Sequence, residues 1–176
     1  MKGSNVTRFR QVELPVEVSG HLYLHSMPGR YEPLAETWTE VRHLAVAAIV
    51  SLAPFDETRE KSPEYAEAFE TGMVPCQLWR LAICDYQGPD DDQTFWQLTR
   101  RVAETLQQGD SVLVHCGAGI GRTGMFAIAV LMALGLPHEE AEHRVKVAGS
   151  EPERPAQRNA LQRLARLAVA AQASGT

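Results

Sequence analysis

The sequence has few of the features that mark secreted, membrane or metal-stabilised proteins. It contains three cysteines, Cys76, Cys84 and Cys116, and no CxxC pair, so nothing indicates a disulfide framework or structural zinc. No apolar run is long enough to span a bilayer, and residues 1–20 mix charges with short apolar runs, unlike a signal peptide. We therefore expect a protein of the reducing cytoplasm that is not held in a membrane.

An excess of positive charge is also missing. Lys and Arg number 17 against 22 Asp and Glu, a formal net charge of −5, which argues against binding nucleic acid through the bulk field. The 176 residues, 44% of them hydrophobic, are enough to bury one sizeable core. We expect a single domain over 1–176, with residues 1–20 as an N-terminal extension or edge strand.

Hydrophobic patterns predict strands that alternate with helices along the chain. Alternation and short apolar runs predict strands at 9–14, 21–25, 48–52, 77–83 and 111–115. Helical spacing and end signals predict helices at 36–47, 63–71, 92–108, 122–134, 138–147 and 155–171. The stretch around Pro54 and the acidic stretch after Ile83 are expected to be loops.

This order predicts an α/β fold, a central mostly parallel sheet flanked by helices on both faces, because parallel strands need helical crossovers. Sites on such folds gather at the carboxyl ends of the strands. Two loops of interest, after Ile83 and after His115, both leave strand ends. We expect them to lie together.

The loop after His115 has the residues of an anion cradle. Cys116 ends an apolar strand, Arg122 opens a helix, and between them stand Gly117, Ala118, Gly119, Ile120 and Gly121. The glycines allow successive N–H groups to turn inward around an oxyanion, and the helix adds the positive end of its dipole.

Such surroundings favour the thiolate of Cys116, and the planar fork of Arg122 suits two phosphate oxygens. A buried inert cysteine with an arginine six residues away by chance is the alternative. It explains neither the alternating glycines nor the flanking strand and helix.

The motif HCGAGIGRTG resembles the H-C-x5-R-[ST]-G signature of the cysteine-based phosphatases, and differs at Gly117 from the common HCSAGIGRTG form. The resemblance implies a phosphocysteine intermediate at Cys116, with Thr123 bonding the departing thiolate and His115 positioning the loop. The length and the late cysteine are similar to the compact dual-specificity class. Within it, LYLHSMPG and ICDYQGPDD resemble the kinase-associated phosphatase group.

A phosphatase of this kind needs a proton donor for the leaving oxygen. The upstream candidates are Asp85, Asp90, Asp91 and Asp92. Asp85 directly follows the predicted strand and matches an aspartate of the related phosphatases, so we expect it to be the acid. The other three are placed to cap the next helix. Gln157 resembles the glutamine that positions water in some members, or is simply an exposed helix-start glutamine.

The expected function is a protein phosphatase acting on phosphotyrosine, with phosphoserine and phosphothreonine as further substrates. One alternative is a phosphatase of phosphoinositides or other small phosphorylated metabolites, which the uncharged residues 117–121 make less favourable. Others are a phospho-binding pseudophosphatase module and a sulfur-transfer or arsenate-reducing enzyme. We expect no cofactor, metal or nucleic acid. The sequence leaves open the physiological substrate, the oligomeric state and whether Cys84 or Cys76 protects Cys116 through a disulfide.

Overall fold

A five-stranded sheet organises the chain in a computed structural model that describes residues 8–173, so residues 1–7 of the expected N-terminal extension lie outside the described residues. The strands are β1 (Arg10–Val12), β2 (His21–His25), β3 (Val46–Ser51), β4 (Gln77–Arg80) and β5 (Ser111–His115). Their order is β1-β2-β5-β3-β4; β1 pairs antiparallel with β2 and the other three pairings are parallel. The predicted mostly parallel sheet is confirmed.

Seven helices are present over the described residues. They are α1 (Leu34–His43), α2 (Phe55–Lys61), α3 (Pro63–Thr71), α4 (Asp92–Gln107), α5 (Gly121–Ala133), α6 (His138–Val147) and α7 (Pro155–Ala173).

The helices cover both faces of the sheet, as predicted. Side chains alternate along β5, so Val112 and Val114 join the large core cluster formed with α4, α5, α6 and α7. Leu113 points to the other face, where it packs with Ile49 and with Val41 of α1. The two cores together bury both sides of the central strands, which explains their continuous apolar runs.

Helix α5 lies at the centre of the larger core. Its residues from Gly121 through Met132 are all buried, and a helix that is apolar all round is one surrounded by protein. It begins a few residues after β5 ends, so its N-terminus lies at the carboxyl edge of the sheet. Within residues 8–173, no helix combines the length and the hydropathy needed to cross a membrane.

Several predicted boundaries were wrong, among them the end of β1 at Val12 and the start of β3 at Val46. The helix expected over 36–47 begins at Leu34 and ends at His43, because Ala45 adopts a φ of 49° and turns the chain into β3. The strand expected over 77–83 ends at Arg80. Its extension still donates from Leu81 N to Ser51 O (3.0 Å) and from Ile83 N to Leu52 O (2.9 Å).

The stretch around Pro54 was expected to be a loop but contains α2. Pro54 directly precedes the helix, where its missing N–H costs nothing. Glu57 lies in the first turn and Lys61 in the last, which suits the helix dipole. By contrast, α3 begins at Pro63 and is followed by Gly72 at φ 67°, as predicted.

Candidate active site

The backbone carbonyls of the loop after β5 are held from outside. His115 Nδ1 lies 3.0 Å from the Cys116 carbonyl, and Met27 N donates to the Gly117 carbonyl at 3.1 Å. The Gly119 carbonyl accepts from the side chains of Arg10 and Ser150. All these peptide bonds are trans, so each following N–H points away from the partner of the carbonyl. The N–H groups of residues 117, 118 and 120 are thereby turned to the inner side of the loop.

Gly119 connects the loop to the sulfur of Cys116. Its N–H donates to Cys116 Sγ at 3.3 Å, and the sulfur lies at the base of the loop with 2% of Cys116 exposed. Gly119 has a φ of 77°, and a side chain here would collide with the His25 carbonyl. Glycine is therefore required by both the backbone conformation and the packing.

Gly117, the position that departs from the common motif, lies against Glu57. A Cβ added at Gly117 would lie 2.6 Å from Glu57 Oε1 and 3.2 Å from Arg30 Nη1. The Glu57 carboxylate thus fills space that a serine would enter. Glycine at 117 and glutamate at 57 fit together as a pair.

Glu57 holds Arg122 at the centre of the site. The Arg122 side chain is 2% exposed; Nη1 and Nη2 donate to the two carboxylate oxygens at 2.7 and 2.8 Å, and Nη1 also donates to the Ile83 carbonyl at 2.9 Å. Burial alone would raise the pKa of Glu57, but hydrogen bonds from Arg122 and Lys61 lower it to about 2. The carboxylate is therefore ionised at neutral pH.

One edge of the Arg122 guanidinium faces away from Glu57. Nε is buried and has no hydrogen-bond partner within residues 8–173, and Nη2 lies 3.1 Å from Asp85 Oδ1. Arginine presents five N–H donors in a fixed plane. The Nε and Nη2 edge is the part of that plane available to a planar or tetrahedral anion.

His115 is fully buried behind the loop. Its Nε2 lies 2.9 Å from the Tyr65 hydroxyl, and burial lowers its pKa to about 4. The ring is neutral at neutral pH, and since a carbonyl only accepts, Nδ1 carries the proton given to Cys116 O. Tyr65 then donates to Nε2, so the ring links Tyr65 to the Cys116 carbonyl. The loop-positioning role of His115 stays a prediction.

Asp85 is the aspartate that contacts Arg122. Its Oδ1 also accepts from Tyr86 N at 3.0 Å, and its side chain is 44% exposed. Asp91 instead caps α4 by accepting from Gln93 N at 3.0 Å, as predicted, and Asp92 pairs with Arg163. Asp85 thus faces Arg122, whereas Asp91 and Asp92 make contacts at the start of α4.

Two other residues expected at the site are buried beside the loop. Thr123 has no hydrogen-bond partner for its hydroxyl within residues 8–173, so the bond to Cys116 Sγ is not formed here. Gln157 is fully buried rather than exposed; its Oε1 accepts from Glu153 N at 2.7 Å. Its amide lies 3.1 Å from the position of a Cβ on Gly121, so Gln157 reaches the loop.

The remaining thiols differ in their surroundings. Burial raises the pKa of Cys76 to about 11, and this thiol packs on the α1 face of the sheet, opposite the core that contains Cys116. Cys84 is exposed and precedes Asp85. The placement disfavours Cys76 as a redox partner of Cys116. Within the described chain no cluster of His, Cys, Asp and Glu could hold a metal ion.

Sequence reasoning missed Glu57 and Tyr65. Glu57 stood in a stretch interpreted as a loop, 65 residues before Arg122, and Tyr65 stands 50 residues before His115. The acidic residues of the first turn, Asp56 and Glu57, were the sequence signal from which α2 could have been predicted. Nothing local indicates which of them reaches Arg122.

A family model described as "Polymorphic toxin system, DSP-PTPase phosphatase" matches residues 24–136, more than half of the chain. The chain belongs to this DSP-PTPase phosphatase family. The human dual specificity protein phosphatase 12 is 30% identical to this chain over 132 residues, covering 73% of the chain and 36% of the relative. The Dictyostelium discoideum tyrosine-protein phosphatase 1 is 41% identical over 61 residues, 31% of this chain and 12% of that protein. The chain thus spans about a third or less of the length of these curated relatives.

Solved structures with the same fold include phosphatases of this class. A kinase associated phosphatase with serine replacing its catalytic site cysteine has a TM-score of 0.78 at 17% identity, covering 92% of this chain and 96% of that one. The structure of PTPMT1 has a TM-score of 0.73 at 19% identity, covering 95% and 99%. At such identities the likeness shows the fold of the chain and no more.

Proposed function

We propose that the chain hydrolyses phosphotyrosine esters of proteins, and phosphoserine and phosphothreonine esters more slowly, through a phosphocysteine intermediate. Cys116 Sγ attacks phosphorus, the bond to the leaving oxygen breaks, and Asp85 gives that oxygen a proton. Water then attacks the phosphorus of the intermediate, Asp85 takes the proton, and the P–S bond breaks. Thr123 donates to the departing thiolate, and Gln157 positions the water.

The observation that carries this proposal is the arrangement of donors around Cys116 Sγ. Three carbonyls of the loop are held outward, and the Gly119 N–H already donates to the sulfur. A phosphoryl group on that sulfur would meet the inward N–H groups and the helix α5 N-terminus. The Nε and Nη2 edge of Arg122 completes the set of donors.

The contact between Asp85 and Arg122 supports the choice of acid. A phosphate bound to Nε and Nη2 would take the N–H that now faces Asp85 Oδ1 at 3.1 Å. The carboxylate would then turn from the guanidinium towards the leaving oxygen. Within residues 8–173, Asp85 is the one of the four upstream aspartates that contacts Arg122.

Two features favour phosphotyrosine. Ile120 on the loop and Tyr86 beside Asp85 remain 37% and 45% exposed, respectively, and offer apolar contact to an aromatic ring. The relatives that match the chain include two tyrosine-protein phosphatases, from Dictyostelium discoideum and Drosophila melanogaster.

A phosphoinositide phosphatase is the second candidate. One structural neighbour is PTPMT1 in complex with PI(5)P, with a TM-score of 0.70 and 19% identity. Although residues 117–121 carry no charge, Arg30 lies next to Gly117 and Lys61 bonds Glu57 at 2.8 Å. These cations from outside the loop could meet a second phosphate. A pseudophosphatase is disfavoured because Cys116, Arg122 and Asp85 are all present.

The test is a substrate panel of phosphotyrosyl peptides, phosphoseryl peptides and phosphoinositides, assayed with the native protein and Cys116→Ser. We expect turnover of phosphotyrosyl peptides by the native protein and none by the variant. The matched control is Cys84→Ser, which removes an exposed thiol near Asp85. Turnover by Cys116→Ser at the native rate would contradict the assignment, and preferred turnover of phosphoinositides would favour the second candidate.

A further inference from the structure

Arg10, on the edge strand β1, reaches across to the loop after β5. Its Nη2 donates to the Gly119 carbonyl at 2.6 Å. Its Nη1 donates to the carbonyls of Ala148 and Gly149 at 3.2 and 2.5 Å and to Ser150 Oγ at 2.9 Å. One guanidinium therefore joins β1, the segment after α6 and the cradle loop.

Ser150 acts on the same carbonyl. Ser150 is 1% exposed, and its hydroxyl donates to Gly119 O at 2.7 Å. A carbonyl oxygen has two lone pairs, so Arg10 and Ser150 together occupy the acceptor capacity of Gly119 O. If the peptide between residues 119 and 120 flipped, the hydrogen bonds from Arg10 and Ser150 would both be lost. The Gly119 carbonyl would then face the anion site.

We propose that Arg10 and Ser150 form a clamp that positions the Ile120 N–H for phosphate binding, an assignment that rests on the proposed phosphatase function. The peptide is trans, so a carbonyl held outward fixes its N–H inward. Gly119 gives this peptide unusual freedom, since its φ of 77° is open to glycine. The clamp removes that freedom before substrate arrives.

The charge of Arg10 adds to this effect. Burial lowers the pKa of the Arg10 guanidinium below its ordinary value, while a negative charge on Cys116 would act in the opposite direction. Arg10 is thus a second cation, besides Arg122, within electrostatic range of the nucleophile. It stabilises negative charge on the sulfur and on the bound phosphoryl group.

The test compares Arg10→Met and Ser150→Ala with Arg144→Met. Arg144 is the matched control, because its guanidinium also ties α6 to the N-terminal segment, through the Glu13 carbonyl at 3.3 Å, without reaching the loop. The measurements are kcat and KM for para-nitrophenyl phosphate and the affinity for vanadate, which mimics the transferred phosphoryl group. Vanadate affinity separates positioning from stability, because reversible unfolding lowers the apparent affinity only in proportion to the folded fraction, which circular dichroism measures for each variant.

We expect Arg10→Met to lower kcat and vanadate affinity by about tenfold to a hundredfold, with Ser150→Ala following in the same direction by about threefold to tenfold. Arg144→Met should stay within about twofold of the native protein. Native vanadate affinity in both clamp variants, or an equal loss in Arg144→Met, would overturn the clamp. An active Cys116→Ser protein would instead overturn the phosphatase mechanism, so the two failures are distinct.

Discussion

The loop after β5 and the loop after β4 meet at the same edge of the sheet, yet they are held very differently. In the first, the carbonyls of Cys116, Gly117 and Gly119 each have a partner from outside the anion site. In the second, Asp85 is 44% exposed and is followed by Tyr86 at a φ of 62°. The second loop has a short turn from Gln87 N to the Cys84 carbonyl, and Arg154 lies over the Tyr86 ring at 4.5 Å.

In the proposed mechanism, this difference separates phosphate binding by the first loop from proton transfer by the second. The cradle is built before a substrate arrives, which lowers the cost of organising donors around the transferred group. The proposed acid, Asp85, stands instead on an exposed loop. Substitutions in the loop after β5 should therefore reduce the rate for every substrate. The effect of substitutions in the loop that contains Asp85 should depend on pH and on the leaving group.

The largest effect is expected from Arg122→Lys. Lysine keeps the charge but lacks the guanidinium, which binds Glu57 on one side and offers Nε and Nη2 to phosphate on the other. We therefore expect kcat to fall about a thousandfold for all substrates. Steady-state kinetics on two substrates checks this. The control is Arg163→Lys, which alters a surface pair with Asp92 and should change little. A loss confined to one substrate would contradict a common phosphate clamp.

Asp85→Asn should have the next largest effect. Without a proton donor, kcat for a phosphotyrosyl peptide at neutral pH should fall by about a hundredfold or more while KM stays similar. Para-nitrophenyl phosphate has a better leaving group, so the decrease in kcat for this substrate should be smaller. The basic limb of the pH profile should disappear as well.

The control for the acid is Asp90→Asn, an exposed residue of the same loop. It should leave the rate and the pH profile unchanged. If Asp90→Asn lost the basic limb and Asp85→Asn kept it, the acid would be Asp90 and the contact with Arg122 would have another role.

Glu57→Gln should change stability in a pH-dependent way. The native pKa of Glu57 is about 2 and its side chain is 13% exposed, so its contribution is present above an unfolded pKa near 4.5 and is lost as pH falls towards 2. At neutral pH the variant should be less stable by on the order of 3 kcal/mol. Urea unfolding at several pH values measures this.

In the Glu57→Gln protein the difference from native should shrink steadily between about pH 4.5 and 2. Glu60→Gln, on the exposed face of the same helix, serves as the control and should differ little at any pH. A constant difference across that range would mean that the ionised Glu57 is not what stabilises the site.

Tyr65→Phe should have the smallest effect of the four. It removes the donor to His115 Nε2 and leaves that buried nitrogen unpaired, at a cost of about 1–3 kcal/mol in unfolding free energy. Because the His115 bond to Cys116 O is kept, kcat should fall less than about tenfold. Tyr23→Phe removes a hydroxyl from a different buried cluster and should leave kcat unchanged. A decrease in kcat as large as that expected for Arg122→Lys would show that Tyr65 takes a direct part in the reaction.

What could be predicted from sequence was what local signals encode. The strand before Cys116, the helix after it and the cap at Asp91 follow from short patterns, and so did the cradle itself. The end of α1 could not be predicted, since an alanine at positive φ leaves no mark in the sequence. The bond from Arg10 to Gly119 joins residues 109 positions apart, and the bond from Arg122 to Glu57 joins residues 65 positions apart. Such contacts depend on the fold of the whole chain.

The most direct test of the central claim is to trap the covalent intermediate. Native protein mixed with para-nitrophenyl phosphate, quenched in acid within a turnover and digested, is analysed by mass spectrometry for phosphorylated peptides. The account predicts one phosphoryl group on the peptide that contains Cys116, and none in Cys116→Ser. Phosphate found on another residue, or turnover by native protein with no phosphorylated Cys116 at any quench time, would contradict it.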